Sequence, residues 1–122
     1  MTLPREGFVL LHNPRCSKSR KTKELLESRG VAFEERRYLD EPLDRAELED
    51  LAARLGQPVG TFVRRKETAF AEAGLDAASG HDALLDAVAA HPILLERPIL
   101  VRGDRAKVGR PPEDVLELLD GS

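Results

Sequence analysis

The feature that most constrains the fold of this chain is a short apolar run followed at once by a turn and a helix. The run Phe8-Val9-Leu10-Leu11 predicts a buried strand, and Asn13-Pro14 marks a turn after it. The positions that follow share one helical face: Thr22, Leu25 and Leu26. Cys16, the only cysteine, falls at the junction of the strand and the helix.

The surroundings of Cys16 favour its ionised form. A helix start offers free backbone N–H groups and the positive end of the helix dipole, and both stabilise a thiolate. Several cations flank the cysteine in a chain of net charge -3: Arg15, Lys18, Arg20, Lys21 and Lys23. A lone cysteine is more often a core residue. Strand, turn, cations and helix start together instead predict a nucleophile or an anion-contacting thiolate.

Length and composition bound the class of protein. A chain of 122 residues predicts a single domain spanning residues 1–122, and 41% hydrophobic with 34% charged residues is typical of a soluble globular protein. No apolar stretch approaches the roughly 20 residues of a membrane span, and no secretory signal is recognised. One cysteine cannot form an internal disulfide, which favours the cytoplasm. The small net charge argues against a dedicated nucleic-acid-binding protein.

The first half of the chain predicts β-α-β followed by helices. Residues 33–38 read as the second strand. Asp44 and Glu47 form the pattern of a capping box at the start of a helix, and Gly56 ends it. A third helix is predicted over 58–65, because proline suits a first helical turn.

The second half predicts a helix and then β-β-α. An amphipathic helix runs from His81 until His91-Pro92 stops it. Residues 99–101 and 106–108 predict a hairpin, and a closing helix begins at about Pro112. A β-α unit feeding a parallel strand, with a late antiparallel hairpin and a last helix, indicates an α/β, thioredoxin-like fold. We expect a four-stranded mixed sheet with a helical insertion between the β-α-β and β-β-α halves.

A basic run and three single side chains are further candidates for the same site. The basic run Arg64-Arg65-Lys66 ends the predicted third helix, where cations are favoured in any helix. Arg97 precedes Pro98 in a turn that packs against the first helix in thioredoxin-like folds. Arg110 is either a solvated loop residue or reaches back to the thiol. His12 is either an ordinary loop histidine or tunes the thiolate or its loop.

Residue spacing excludes several other uses of the cysteine. A redox pair of the Cys-x-x-Cys type needs a second cysteine where Ser19 stands. A cysteine phosphatase loop needs arginine where Thr22 stands, and His12 is poorly placed as a protease base. No spacing resembles a zinc site, so we expect no metal. A single thiolate among arginines suits attack on a tetrahedral oxyanion.

Several segments, spread from Leu10 to Leu119, resemble the glutaredoxin-coupled arsenate reductase family. They are His12-Asn13-Pro14-x-Cys16-x-x-Ser19-Arg20, Tyr38-Leu39 with Pro42, Arg64 in Phe62-Val63-Arg64-Arg65, His91-Pro92-Ile93-Leu94-x-x-Arg97-Pro98-Ile99, and Arg110-Pro111. The resemblance implies that Cys16 is the nucleophile toward arsenate and that His12 assists the thiolate. It also implies three cations around the oxyanion, Arg64, Arg97 and Arg110, and a cis bond between Arg97 and Pro98.

The resemblance further implies a reductant that comes from outside the chain. Glutathione, as co-substrate, would attack the cysteine–arsenic adduct, and glutaredoxin would reduce the mixed disulfide, with no bound organic cofactor and no metal. We expect a monomer. Two alternatives stay open: a thiol oxidoreductase acting on another substrate, and a non-catalytic module like the Spx-type regulators, which bind RNA polymerase. Ser19 and Arg110 both depart from the Spx pattern.

Overall fold

A four-stranded mixed sheet forms the centre of the protein. The computed structural model describes Leu3, residues 6–76 and residues 78–120. Its strands are β1 (Phe8–Leu11), β2 (Glu34–Arg36), β3 (Ile99–Arg102) and β4 (Arg105–Val108), in the order β2-β1-β3-β4. β1 pairs with β2 in parallel and with β3 in antiparallel fashion, and β3 pairs with β4 in antiparallel fashion. The predicted strand connectivity is therefore confirmed.

Five α-helices surround the sheet in the described residues. They are α1 (Ser17–Ser28), α2 (Arg45–Leu55), α3 (Thr68–Glu72), α4 (His81–Ala90) and α5 (Glu117–Asp120). No helix among these is long and apolar enough to cross a membrane. The segment from α2 to α4 separates the β-α-β half from the β-β-α half, as expected of the helical insertion.

Alternation along the central strands divides the core in two. Val9 and Leu11 join a cluster that includes side chains of α2 and α4, whereas Leu10 and Leu100 join a cluster with Leu26 of α1. Successive side chains of a strand point to opposite faces, so β1 serves both clusters. The first cluster holds the insertion against one face of the sheet, and the second holds α1 and the C-terminal segment against the other.

The capping box of α2 is present as predicted. The Asp44 side chain accepts a hydrogen bond from the Glu47 backbone N–H at 2.8 Å, and the Asp44 N–H donates to Glu47 Oε1 at 3.1 Å. Gly56 closes the helix with φ 65, in the left-handed region that glycine adopts readily. Glu47 also binds Arg36 of β2 through Nη1–Oε2 at 2.6 Å and Nη2–Oε1 at 3.0 Å. This carboxylate thereby ties α2 to the edge strand.

Glu47→Ala is expected to lower the free energy of unfolding by about 3 kcal/mol, because it leaves the Arg36 charge without its buried partner and removes half of the cap. Glu47 is only 2% exposed. Urea unfolding followed by circular dichroism measures the change. Glu49→Ala, an exposed position on the same helix, is the control and should change the midpoint much less. Equal losses in both variants would contradict a structural role for the Arg36–Glu47 pair.

The predicted third helix over 58–65 is wrong. A 3-10 turn covers only Val59–Phe62, and Val63 then forms an antiparallel bridge with Leu95. The Arg64 N–H donates to Leu94 O at 2.7 Å, so this stretch runs extended beside the segment that leads to β3. The β-branched side chains and the glycine between them disfavour a helix. The basic run therefore begins in an extended segment at Arg64 and continues into a turn at Arg65 and Lys66, and it does not end a helix.

Two other predicted elements are shorter than expected. β2 ends at Arg36 rather than at residue 38, because the chain turns there and the N–H groups of Asp40 and Glu41 both donate to Arg37 O. The closing helix begins as a 3-10 turn, Pro112–Leu116, before α5. Prolines lack the N–H that an α-helix would use, which favours the tighter start.

Candidate active site

Cys16 stands at the entrance to α1, as the strand, turn and helix pattern predicts. It is the N-cap residue, half-buried, with an extended backbone at φ -94 and ψ 123. Asn13 builds the loop before it: its side-chain oxygen accepts from the Arg15 N–H at 3.0 Å, and its carbonyl accepts from the Cys16 N–H at 3.0 Å. The loop thus fixes the sulfur at the N-terminal end of the helix.

His12 supports this loop through Ser19. Its ring Nδ1 lies 2.7 Å from Ser19 Oγ, and the same hydroxyl accepts from the Asn13 N–H at 3.0 Å. Burial lowers the pKa of His12, opposed by Glu35, so the ring is neutral near neutral pH. Among the described residues its hydrogen bond goes to Ser19 and not to the sulfur. The structure therefore places His12 behind the loop, and its assistance to the thiolate stays a prediction.

Arg97 and Arg110 lie beside the sulfur. Arg110 Nη2 is 4.0 Å from Cys16 Sγ, and Arg110 Nε donates to the Arg97 carbonyl at 2.9 Å. The bond between Arg97 and Pro98 is cis, as predicted, and the Arg110–Pro111 bond is cis as well. A Cβ on Gly109 would lie 2.9 Å from Pro98 Cγ, so only glycine allows this close approach. The two arginine segments thereby meet next to α1.

Two carboxylates link the three candidate arginines. Glu96 Oε1 lies 2.8 Å from Arg110 Nε and 3.2 Å from Arg64 Nη1. Glu67 Oε1 lies 3.0 Å from Arg64 Nε and 3.8 Å from Arg97 Nη1. These ion pairs hold the guanidinium groups together at one side of the sulfur. An oxyanion entering there competes with the carboxylates for the same donors.

Sequence reasoning missed both glutamates. Glu67 follows Arg64 by one helical turn's spacing, and Glu96 directly precedes Arg97. The acidic residues close to Arg64 and Arg97 in the sequence could have indicated this role. Negative charges between several arginines reduce the repulsion between them and hold them together. Arg64 contacts both carboxylates, and these connect it to Arg97 and Arg110.

The pKa of Cys16 lies below its ordinary value. Burial raises the pKa of the thiol, but the backbone N–H of Ser19, the guanidinium of Arg97 and the backbone N–H of Lys18 together lower it by more. Each of these groups offers a donor or a positive charge to the sulfur, which favours the thiolate.

We expect the rate of Cys16 alkylation by iodoacetamide to reach half its maximum at a pH below about 8.5, the value of a free thiol. Only the thiolate reacts, so a lowered pKa moves the rise in rate to lower pH. Glutathione treated under the same conditions is the control. Arg97→Ala should move the midpoint upward because it removes one of the groups that lower the pKa. A wild-type midpoint equal to that of glutathione would contradict thiolate activation.

Tyr38 is a further residue of the site. It follows β2, is fully buried, and its hydroxyl has no hydrogen-bond partner among the described residues. Burial raises its pKa to about 12, the positive charge of Arg97 lowers it, and the charge of Cys16 raises it. The sequence places Tyr38 at the end of the predicted second strand and in one of the segments that carry the family resemblance, and neither assigns it a role at the sulfur. The position of Tyr38 after β2 could have indicated its place in the site. The parallel strands β1 and β2 end at the same edge of the sheet, so the residues after β2 lie near the loop that follows β1.

Metal-ligating side chains of the described residues come together at one place, the exposed group Glu49, His81 and Asp82. Arg45 Nη2 lies 2.7 Å from Glu49 Oε1 and 2.7 Å from Asp82 Oδ1, and His81 Nε2 lies 2.8 Å from Glu49 Oε1. The group is an ion-pair network between α2 and α4. The expectation that no metal takes part stays a prediction.

The fold and the site together define a thioredoxin-like protein with one cysteine at the start of α1 and arginines beside it. Residues 11–118 match the ArsC family, and the chain belongs to that family. The arsenate reductase of Neisseria meningitidis serogroup A is 47% identical over 112 residues, which cover 90% of this chain and 96% of that protein. The arsenate reductase of Haemophilus influenzae is 42% identical over 115 residues, covering 93% and 99%. The structure of the arsenate reductase from Vibrio cholerae superposes with a TM-score of 0.87 at 44% identity, covering 93% of this chain and 98% of that one.

Proposed function

We propose that this protein is an arsenate reductase in which the Cys16 thiolate attacks arsenic. The observation that carries the proposal is the meeting of a thiol of lowered pKa with Arg110 at 4.0 Å and Arg97 beside it. Guanidinium groups pair with two oxygens of a tetrahedral oxyanion at once, which fixes its orientation. The relatives named above as arsenate reductases agree with this chemistry.

In the first step Cys16 Sγ forms a bond to the arsenic of dihydrogen arsenate. One arsenic–oxygen bond breaks, and the leaving oxygen departs as water after taking a proton. The product is a thioester of arsenic(V), so no electrons have yet been transferred. Arg64, Arg97 and Arg110 are the cations we assign to the oxyanion, and their charge stabilises the negative oxygens as the bond forms. His12 is assigned to the loop that holds the thiolate.

In the second step a thiol from outside the chain supplies the reducing equivalents, because the chain has only one cysteine. Glutathione is the thiol we propose. Its sulfur attacks Cys16 Sγ, a disulfide forms, and the electron pair of the breaking sulfur–arsenic bond remains on arsenic. Arsenic(V) becomes arsenic(III), the thiol proton passes to an arsenic oxygen, and arsenite leaves. Glutaredoxin then reduces the mixed disulfide by thiol–disulfide exchange.

The two proposed steps also indicate the cellular compartment and the partners of the protein. Reduced glutathione and glutaredoxin belong to a reducing compartment, so we assign the protein to the cytoplasm. We propose that it works as a monomer, with the oxyanion, glutathione and glutaredoxin as its partners. The two steps require neither a bound organic cofactor nor a metal ion.

The test of the proposed function is an NADPH-coupled assay with glutathione, glutaredoxin and glutathione reductase. We expect NADPH oxidation to depend on arsenate, on glutathione and on glutaredoxin, each shown by omission. Phosphate should inhibit without being reduced, because it offers the same tetrahedral oxygens. Absence of arsenate-dependent oxidation would contradict the proposal. Retention of RNA polymerase on the immobilised protein, without turnover, would instead support a module of the Spx type.

A further inference from the structure

Three buried polar atoms around Cys16 have no hydrogen-bond partner in the described part of the chain. They are the hydroxyl of Tyr38 and the Nε and Nη1 atoms of Arg97. Buried polar groups in native proteins are almost always paired, since an unpaired one retains its desolvation cost. Glu67 Oε1 lies 3.8 Å from Arg97 Nη1, which is an ion pair but too long for a hydrogen bond. Donors without a hydrogen bond beside a reactive sulfur are therefore expected where a ligand supplies the missing acceptors.

The backbone brings the Tyr38 segment to the cysteine loop. The His12 N–H donates to Arg36 O at 2.9 Å, which continues the parallel pairing of β1 and β2 up to the edge where both strands end. Tyr38 lies two residues beyond that carbonyl. The charges of Arg97 and Cys16 are both among the causes that shift the pKa of its hydroxyl, which agrees with the place that the strand pairing gives Tyr38 near the cysteine loop.

We propose that the Tyr38 hydroxyl donates a hydrogen bond to an oxygen of the bound oxyanion and is a substrate-binding residue of the site. The inference rests on the proposed function, because it needs an oxyanion beside Cys16. The hydroxyl keeps its proton at neutral pH, since its pKa is about 12. Every unprotonated oxygen of arsenate is an acceptor, and a neutral donor adds orientation to the attraction that the arginines provide.

A purely structural role for Tyr38 makes the opposite predictions. The ring packs in the cluster that includes α2 and α4, and phenylalanine fills the same volume. Because the hydroxyl has no partner, Tyr38→Phe should leave the unfolding temperature unchanged or raise it. The same change should weaken oxyanion binding about tenfold to hundredfold, the cost of one hydrogen bond to a charged group. If Tyr38 had only a structural role, Tyr38→Phe would lower the unfolding temperature and leave oxyanion binding unchanged.

The chain holds one tyrosine and no tryptophan, so its near-ultraviolet spectrum reports on Tyr38 without a label. The experiment titrates arsenate into Cys16→Ser protein without glutathione, followed in parallel by calorimetry and by tyrosine difference absorption. We expect both signals to saturate at the same arsenate concentration. In Cys16→Ser/Tyr38→Phe protein the calorimetric dissociation constant should rise about tenfold to hundredfold.

Each outcome decides between the two proposals. Calorimetric binding with no change in the tyrosine spectrum, or equal dissociation constants with and without the hydroxyl, would overturn the role of Tyr38 and leave the proposed function standing. Absence of binding in the protein that keeps Tyr38 would overturn both. If Tyr38→Phe does not fold, the spectral titration of the intact residue still decides, because it requires no change at position 38.

Discussion

Cys16→Ser is expected to reduce arsenate-dependent turnover to background while the protein stays folded. A serine hydroxyl is not ionised near neutral pH, and it cannot form the disulfide whose formation leaves two electrons on arsenic. Serine is also a favoured N-cap residue, so the start of α1 should be retained or strengthened. The NADPH-coupled assay measures the loss, and circular dichroism with thermal unfolding measures the fold.

The control for this variant is the wild-type protein blocked by alkylation of Cys16. Both preparations should be inactive for the same reason, although one keeps a small side chain and the other a bulky one. Residual turnover of Cys16→Ser well above the blocked protein would contradict the assignment of Cys16 as the nucleophile. Loss of the folded signal would instead show that the cysteine has a structural role.

Arg97→Ala is expected to lower kcat/KM by a factor of about 10² to 10³, which corresponds to roughly 2–4 kcal/mol of transition-state stabilisation. Arg97 is one of the groups that lower the pKa of the Cys16 thiol, and two of its buried nitrogen atoms have no hydrogen-bond partner in the described residues. Its removal takes away both a charge that favours the thiolate and a donor to the oxyanion. The substitution should change the free energy of unfolding by less than it changes the activation free energy of arsenate reduction.

Arg65→Ala is the matched control, because Arg65 lies in the same basic run as Arg64 yet is exposed. It should keep nearly wild-type kcat/KM. Arg97→Lys should recover only part of the activity, since an ammonium group cannot pair with two oxygens in the geometry of a guanidinium. Similar losses in the Arg97 and Arg65 variants would indicate a general effect of positive charge rather than a defined oxyanion contact.

The succession of strands and helices along the chain and the position of Cys16 were predictable, because both follow from local sequence patterns. An apolar run, a turn and a helical stripe identify the β1–α1 junction, and the Asp44–Glu47 capping box identifies the start of α2. These features depend on residues within a few positions of one another. Local chemistry decides them before the rest of the chain is considered.

The third helix and the partners of the arginines were not predictable in the same way. The chain is extended at Val63 because Val63 pairs with Leu95, far away in the sequence. Glu67 is only three residues from Arg64, but the contacts of Glu96 with Arg64 and of Glu67 with Arg97 join distant segments and form only after folding. Sequence patterns identify which groups carry charge, whereas tertiary packing decides which charges meet.

The most direct measurement is a single-turnover experiment with arsenate and glutathione but no glutaredoxin, analysed by intact-protein mass spectrometry and by arsenite determination. If Cys16 attacks arsenic and glutathione completes the reduction, each chain should release one arsenite and end with glutathione bound to Cys16. Addition of glutaredoxin should then remove the glutathione and restart turnover. Arsenite formed while Cys16 remains unmodified, or continued turnover without glutaredoxin, would contradict this mechanism.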